Sequence, residues 1–292
     1  MGNTILPEHP LVDAGWLRRH RDDVILLDAS VERREGPEGT TLFGRGHGIF
    51  AKAHIPGARF ADLFDGFSDP EAPFAFTVPR PEQIEAAARA AGIDNDSDVV
   101  VYDQLGDAWA ARIWFVLRAY GFERVRVLGG GLAAWQAAGG EVETGAAAPV
   151  SAGSFRAAPR RDWFVDTATV RRIAEAPPDP QRPLISGLRE ASFRKAHIPG
   201  SLSLPYPDLR DAAGTIHPDR VRTLLGDLGV PTTSRPVLYC GGGINAAGLA
   251  LALTAAGMSG LKIYDDSMNG WLSEPGLPVS EGEGHRFPHD KT

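Results

Sequence analysis

Short apolar runs recur along this chain, each followed by a stretch with helical character. Val24-Ile25-Leu26-Leu27, Val99-Val100-Val101-Tyr102 and Val125-Arg126-Val127-Leu128 read as strands in the first half. Pro183-Leu184-Ile185, Val237-Leu238-Tyr239 and Leu261-Lys262-Ile263-Tyr264 repeat the set in the second half. Helices are expected over Pro81 to Ala91, over Pro218 to Leu228, and over the Ala- and Leu-rich stretch Ala246 to Ala256, with Gly257 as a stop. Short apolar strands alternating with helices predict α/β domains, each a mainly parallel sheet flanked by helices. In such sheets ligands sit beyond the carboxyl ends of the strands.

The pattern repeats because the chain repeats. Ala51-Lys52-Ala53-His54-Ile55-Pro56-Gly57 returns as Arg194-Lys195-Ala196-His197-Ile198-Pro199-Gly200 at an offset of 143. Val101-Tyr102-Asp103 matches Leu238-Tyr239-Cys240 at 137, and Gly121 to Trp135 matches Gly257 to Trp271 at 136. Matches in one order at nearly one offset predict two copies of a single domain, over residues 1–145 and 161–292. Residues 146–160 lie in a stretch rich in Ala, Gly, Pro and Ser (Glu141 to Arg161) and read as a linker.

Composition narrows the function. The chain has 292 residues, 43% hydrophobic and 23% charged, with a formal charge of -7. An acidic balance argues against a nucleic-acid surface, which needs clustered Lys and Arg. No apolar stretch approaches the roughly 20 residues that span a bilayer, and the N-terminus lacks the form of a signal peptide. One cysteine permits no internal disulfide, which suits a reducing cytoplasm.

That cysteine is the candidate chemistry. Cys240 falls between the apolar run Pro236 to Tyr239 and the loop Gly241-Gly242-Gly243-Ile244-Asn245-Ala246, which opens a helix. A thiol there faces unpaired backbone N–H groups and the positive end of the helix dipole, both of which favour the thiolate. Three glycines let the loop curl so that its amides converge without side-chain clash. Such a ring of donors also suits a persulfide, and a lone cysteine suits it further, since a second thiol would discharge it as a disulfide. A single cysteine is also often no more than a small buried hydrophobe. The first copy carries Asp103 at this point and Gln104-Leu105-Gly106-Asp107 after it, so the chemistry belongs to the second copy.

With these residues in view the chain resembles the tandem-domain rhodanese family, the thiosulfate and 3-mercaptopyruvate sulfurtransferases. The resemblance rests on Ala53 to Gly57, Ala196 to Gly200, the loop Cys240 to Asn245, and Tyr264-Asp265-Asp266-Ser267-Met268-Asn269-Gly270-Trp271, and runs from about Leu11 to Val279. It implies two rhodanese-like domains, a Cys240 persulfide loaded from 3-mercaptopyruvate or thiosulfate, and a thiophilic acceptor such as cyanide, thioredoxin or another thiol. It implies no metal and no organic cofactor, because sulfur is itself the group carried. The uncharged loop is closer to the family's mercaptopyruvate form, with Gly242 where that form has serine. Where the family has Asp-x-Arg followed by Arg-Phe or Arg-Tyr, this chain has Ser186-Gly187-Leu188 and then Ser192-Phe193. Arg189 and Arg194 stand nearby as candidate substrate-binding cations, or as solvated surface charge. His54 matches a histidine given proton-transfer roles in the mercaptopyruvate enzymes; its repeat as His197 also fits a residue that pins a turn.

Two rival readings differ in class. A cysteine-dependent phosphatase needs an arginine six places after its thiol, and Ala246 stands there. A catalytically weak sulfur carrier or a regulatory binding module accommodates the missing Asp and Arg residues but leaves the glycine loop without a purpose. His285 and His289 lie four apart without an acid or thiol partner at ligand spacing, a weak metal signal.

Overall fold

A computed structural model describes residues 4–37, 41–160, 162–211 and 214–288; His289 lies outside them. The chain divides into two compact units, Met1–Arg160 and Arg161–Thr292. The first contains β1 (Leu11–Val12), α1 (Ala14–His20), β2 (Ile25–Asp28), β3 (Val31–Glu35), β4 (Thr41–Arg45), α2 (His47–Lys52), β5 (Arg59–Phe60), α3 (Pro81–Ala90), β6 (Val99–Tyr102), α4 (Ala108–Ala119), β7 (Val125–Leu128) and α5 (Gly131–Ala137). The second contains β8 (Phe164–Val165), α6 (Thr167–Glu175), β9 (Leu184–Ser186), α7 (Glu190–Lys195), β10 (Leu202–Ser203), α8 (Pro218–Asp227), β11 (Val237–Tyr239), α9 (Ile244–Ala255), β12 (Lys262–Tyr264) and α10 (Ser267–Ser273).

Each unit holds one five-stranded sheet with every pairing parallel, in the order β1-β7-β6-β2-β5 and β10-β9-β11-β12-β8. The central strands β6 and β11 are buried throughout, as strands covered by helices on both faces must be. The helices that follow them are apolar on nearly all sides: α4 leaves only Arg118 outside the buried set, and α9 only Asn245 and Thr254. In α9 small residues permit close packing. A Cβ on Gly248 would lie 2.7 Å from the Tyr206 ring.

The expected strands and long helices are present to within a few residues. Patterning gave no sign of β1, β5, β8 and β10, which have two residues each and no room for a period. It also gave no sign of the antiparallel hairpin β3–β4, whose strands expose Leu42 and Phe43 while Phe43 packs edge-on to Trp109, centroids 4.9 Å apart. From Gly153 to Arg160 the segment read as a linker runs as a strap against the first unit, while residues 148–152 are exposed. The Gly153, Phe155, Ala158 and Arg160 amides donate to the carbonyls of Arg89, Ile93, Tyr120 and Ala119. Phe155 is fully buried and Arg89 Nε donates to its carbonyl at 2.8 Å. Composition alone misleads here, because one buried aromatic and a row of backbone hydrogen bonds suffice to tie down an Ala-rich segment. No helix among the described residues is long and apolar enough to cross a membrane.

Candidate active site

β11 delivers Cys240 to the carboxyl edge of the second sheet, and α9 begins four residues later. The thiol is buried and unpaired by any disulfide. The turn into α9 requires a left-handed residue, and Gly243 supplies it with φ 83°. The N–H groups of Gly241 through Ala246 donate to no acceptor within the described residues; the first helical amide to do so is that of Ala247, to Gly243 O at 3.2 Å. Three of these donors are the ordinary orphans of a helix start, and the glycine loop adds three more.

The start of α10 clamps this loop from the side. Met268 and Asn269 N–H donate to the carbonyls of Cys240 and Gly241, both at 3.0 Å. Ser267 is fully buried with φ 53°; its Oγ accepts from the Cys240 N–H at 3.2 Å and donates to Tyr264 O at 2.9 Å. A Cβ on Gly242 would stand 3.1 Å from the Asn269 Nδ2. Ser267 and Asn269 both lie in the Tyr264 to Trp271 motif, and only the fold brings them onto the Cys240 loop.

Beneath the loop, Tyr239 closes a buried hydroxyl network. Its OH lies 2.7 Å from Ser201 Oγ and accepts from the Ile198 N–H at 3.2 Å. Burial pushes this phenol up to about 12, so it stays neutral. Ser186 pairs in register with Tyr239, and its Oγ accepts from the Leu188 N–H at 3.3 Å. The corresponding register position in the first unit, opposite Tyr102, holds Asp28.

The first unit supplies an internal comparison. Asp103 follows β6 as Cys240 follows β11, and the Asp103 carboxylate fills its own loop. Oδ1 accepts from Leu105 N–H at 2.7 Å and Asp107 N–H at 3.1 Å; Oδ2 accepts from Trp109 N–H at 3.0 Å and Ala110 N–H at 2.9 Å. Asp107 takes the left-handed position of Gly243, with φ 71°, and its own carboxylate accepts from Gly130 N–H at 2.8 Å. An anion held by four amides is therefore what this loop and helix start accommodate.

The remaining candidates separate. Arg189 precedes α7 and is exposed, with no ion pair or side-chain hydrogen bond among the described residues. Its neighbour Gly187 lies against the first turn of α9, where a Cβ would meet Asn245 O at 3.1 Å, so Arg189 sits on a loop that abuts the Cys240 loop. Arg194 is directed elsewhere, 3.2 Å from Glu190 and 3.7 Å from Glu283. Leu188 packs on the hydrophobic core of the second unit, and Ser192 is exposed. His54 is buried in the first unit, stacked on Phe50 at 3.8 Å with Nδ1 2.9 Å from Phe50 O. His197 repeats this on Phe193, at 3.9 Å and 2.9 Å. In both copies Nδ1 is tied to the carbonyl four residues back, and His54 differs in that its Nε2 stands 3.6 Å from the Glu143 carboxylate. Among the described residues no group of three His, Cys, Asp or Glu is placed to hold a metal ion.

A family pattern described as the rhodanese-like domain matches residues 13–138 and again 171–274. The chain belongs to the rhodanese-like family. The 3-mercaptopyruvate sulfurtransferase of Escherichia coli K12 is 31% identical over 92% of this chain and 96% of its own length. The mitochondrial thiosulfate/3-mercaptopyruvate sulfurtransferase 1 of Arabidopsis thaliana is 30% identical over 96% of this chain and 80% of its own. Among solved structures, the 3-mercaptopyruvate sulfotransferase SseA of Escherichia coli superposes with a TM-score of 0.76 at 30% identity, covering 89% of this chain and 98% of that one. This rhodanese-like chain thus carries two family domains, with a thiol in the second and a carboxylate at the matching point of the first.

Proposed function

We propose that this protein is a sulfurtransferase that carries sulfane sulfur on Cys240, with 3-mercaptopyruvate as the preferred donor and thiosulfate as the alternative. The twin loops support it. One is filled by the Asp103 carboxylate on four amides, and the other presents six amides, unspent among the described residues, next to a thiol. A persulfide anion is the species that such a loop would stabilise.

In the first half-reaction the Cys240 thiolate attacks the sulfur of 3-mercaptopyruvate. The S–S bond forms, the C–S bond breaks, and its electron pair leaves on the enolate carbon of pyruvate. The persulfide proton passes to that carbon, leaving Cys240–S–S⁻ and pyruvate. In the second half-reaction an acceptor such as cyanide or a thiolate attacks the outer sulfur, and its S–S electron pair returns to Cys240 as thiolate. No basic side chain stands between Cys240 and Ala246, which disfavours thiosulfate, a compact dianion. Arg189 is the nearest candidate for the donor's carboxylate. A small thiol protein such as thioredoxin is the proposed acceptor, and a reducing cytoplasm the proposed compartment.

Intact mass spectrometry tests the cycle. Incubation with 3-mercaptopyruvate should add one sulfur, about 32 Da, which cyanide then removes as thiocyanate. Cys240→Ser should gain no mass and lose on the order of 10³-fold or more in turnover. A wild-type protein that gains no sulfur from either donor, while Cys240 still reacts with a thiol reagent, would support a binding module or a carrier loaded by a partner protein.

A further inference from the structure

The second unit has a cavity at the end of its sheet opposite Cys240. Its volume is about 520 Å³, within the usual range for small-molecule pockets. Leu184, Val237 and Lys262, which line it, are the first residues of β9, β11 and β12, so it opens at the amino ends of the strands. Cys240 follows the carboxyl end of β11, about 10 Å of strand away. Ile173, Leu184, Val237 and the nearly buried Phe287 form an apolar floor at this end, and Val165, the last residue of β8, extends it along the sheet.

The charge over this floor runs against that of the whole chain. A protein of net charge -7 lines this cavity with Arg172, Arg182, Arg235 and Lys262 against one carboxylate, Asp179. Asp179 Oδ1 accepts from the Gln181 N–H at 2.8 Å. Arg172 donates to Thr169 Oγ1 at 3.1 Å on its own helix. The side chains of Arg182, Arg235 and Lys262 make no ion pair and no hydrogen bond among the described residues. Gly260 leaves room for the Arg235 stem, whose Cγ lies 3.2 Å from where a Cβ would stand. Lys262 is half-buried and has no ion pair among the described residues.

We propose that this cavity is a binding site, separate from the Cys240 loop, for an organic anion: an oxyanion head group on Arg182, Arg235 and Lys262, with a flat apolar body against the Leu184–Val237–Phe287 floor. A bare inorganic anion would leave the floor wet. A neutral apolar molecule would bring no charge to the three cations. An amphiphilic anion satisfies both halves of the cavity.

Fluorescence titration of the full chain with anilinonaphthalenesulfonate tests this, beside neutral anilinonaphthalene and inorganic sulfate. The sulfonate should saturate a single site and retain its affinity when Cys240 is blocked by a thiol reagent. It should bind about tenfold more weakly to Arg235→Gln/Lys262→Gln, and to Arg182→Gln by a smaller factor. Both variants remove exposed or half-exposed charges and should unfold at the wild-type temperature. Sulfate should compete only weakly. Three results would overturn the proposal: equal binding of the neutral probe, undiminished affinity in the double variant, or sulfate binding as tightly as the aromatic sulfonate.

Discussion

Asp103 and Cys240 occupy the same point of one repeated fold, each directly after a buried strand that ends in tyrosine. The carboxylate gathers four amides into hydrogen bonds, while the thiol is followed by amides that donate to no acceptor among the described residues. The loops differ by one residue: the left-handed position is four places after Asp103 and three after Cys240. The first unit has closed its loop on itself, and the second keeps it open for an incoming group.

If the Asp103 carboxylate holds the first unit's loop together, Asp103→Asn should weaken that unit. An amide NH₂ would then face backbone donors where an oxygen accepted from two of them. The expected loss is about 3 kcal/mol, read from the urea unfolding transition of the first unit. A loss under about 1 kcal/mol would mean that the loop is held by its neighbours instead.

The three glycines should not be equivalent. Gly241 has nothing within 4 Å of a Cβ, whereas Gly243 has φ 83° and Gly242 faces Asn269. Gly241→Ala should keep close to wild-type turnover. Gly243→Ala forces a left-handed L-residue at a cost of about 1–2 kcal/mol, and Gly242→Leu must push the Asn269 amide aside. Each of these two should lower kcat about tenfold or more by misplacing the loop amides. Equal activity across all three variants in a thiocyanate assay would remove the geometric role given to the loop.

Arg189 and Arg194 should also part company. Arg189→Gln should raise the KM for 3-mercaptopyruvate about tenfold with little change in kcat, the signature of lost ground-state binding. Arg194 is already engaged by Glu190 and Glu283, so Arg194→Gln should leave both constants near wild type. A KM effect confined to Arg194→Gln would reverse the assignment.

Asp28 should make the first unit sensitive to pH. Burial raises its carboxyl above 3.8 and outweighs the opposing pull of Ser30, whose N–H donates to Oδ1 at 2.8 Å, and of the Tyr102 hydroxyl. The folded protein therefore holds this proton more tightly than the unfolded chain, and stability falls as pH rises through the window above 3.8. Asp28→Asn keeps the acceptor and removes the ionisation. It should raise Tm near neutral pH, with the advantage disappearing as pH drops below 3.8. A Tm difference that stays constant across pH would show that the ionisation of Asp28 carries no cost.

Much of this protein was legible in its residues because the informative features are local. The runs Val99 to Tyr102 and Val237 to Tyr239 announce buried strands, and Cys240 with three glycines announces a strand end turning into a helix. The repeated His-Ile-Pro-Gly turns disclosed two copies, and the structure adds that His54 and His197 each stack on an aromatic ring four residues back. Strands of two residues carry no period, so β1, β5, β8 and β10 left no mark. The strap from Gly153 to Arg160 reads as linker in composition because its one buried aromatic, Phe155, is a single side chain and its other ties are backbone hydrogen bonds.

The sequence by itself determined the repeated α/β architecture and which copy holds the thiol, since strand, turn and helix preferences depend on neighbouring residues. Only the tertiary structure decided what surrounds Cys240 and where Arg182, Arg235 and Lys262 stand. Ser267 reaches the Cys240 N–H from 27 positions away. Lys262, Arg235 and Arg182 meet at one cavity because parallel pairing aligns the amino ends of β9, β11 and β12. Contacts of that range are fixed by how strands pair and helices pack, which no local pattern encodes.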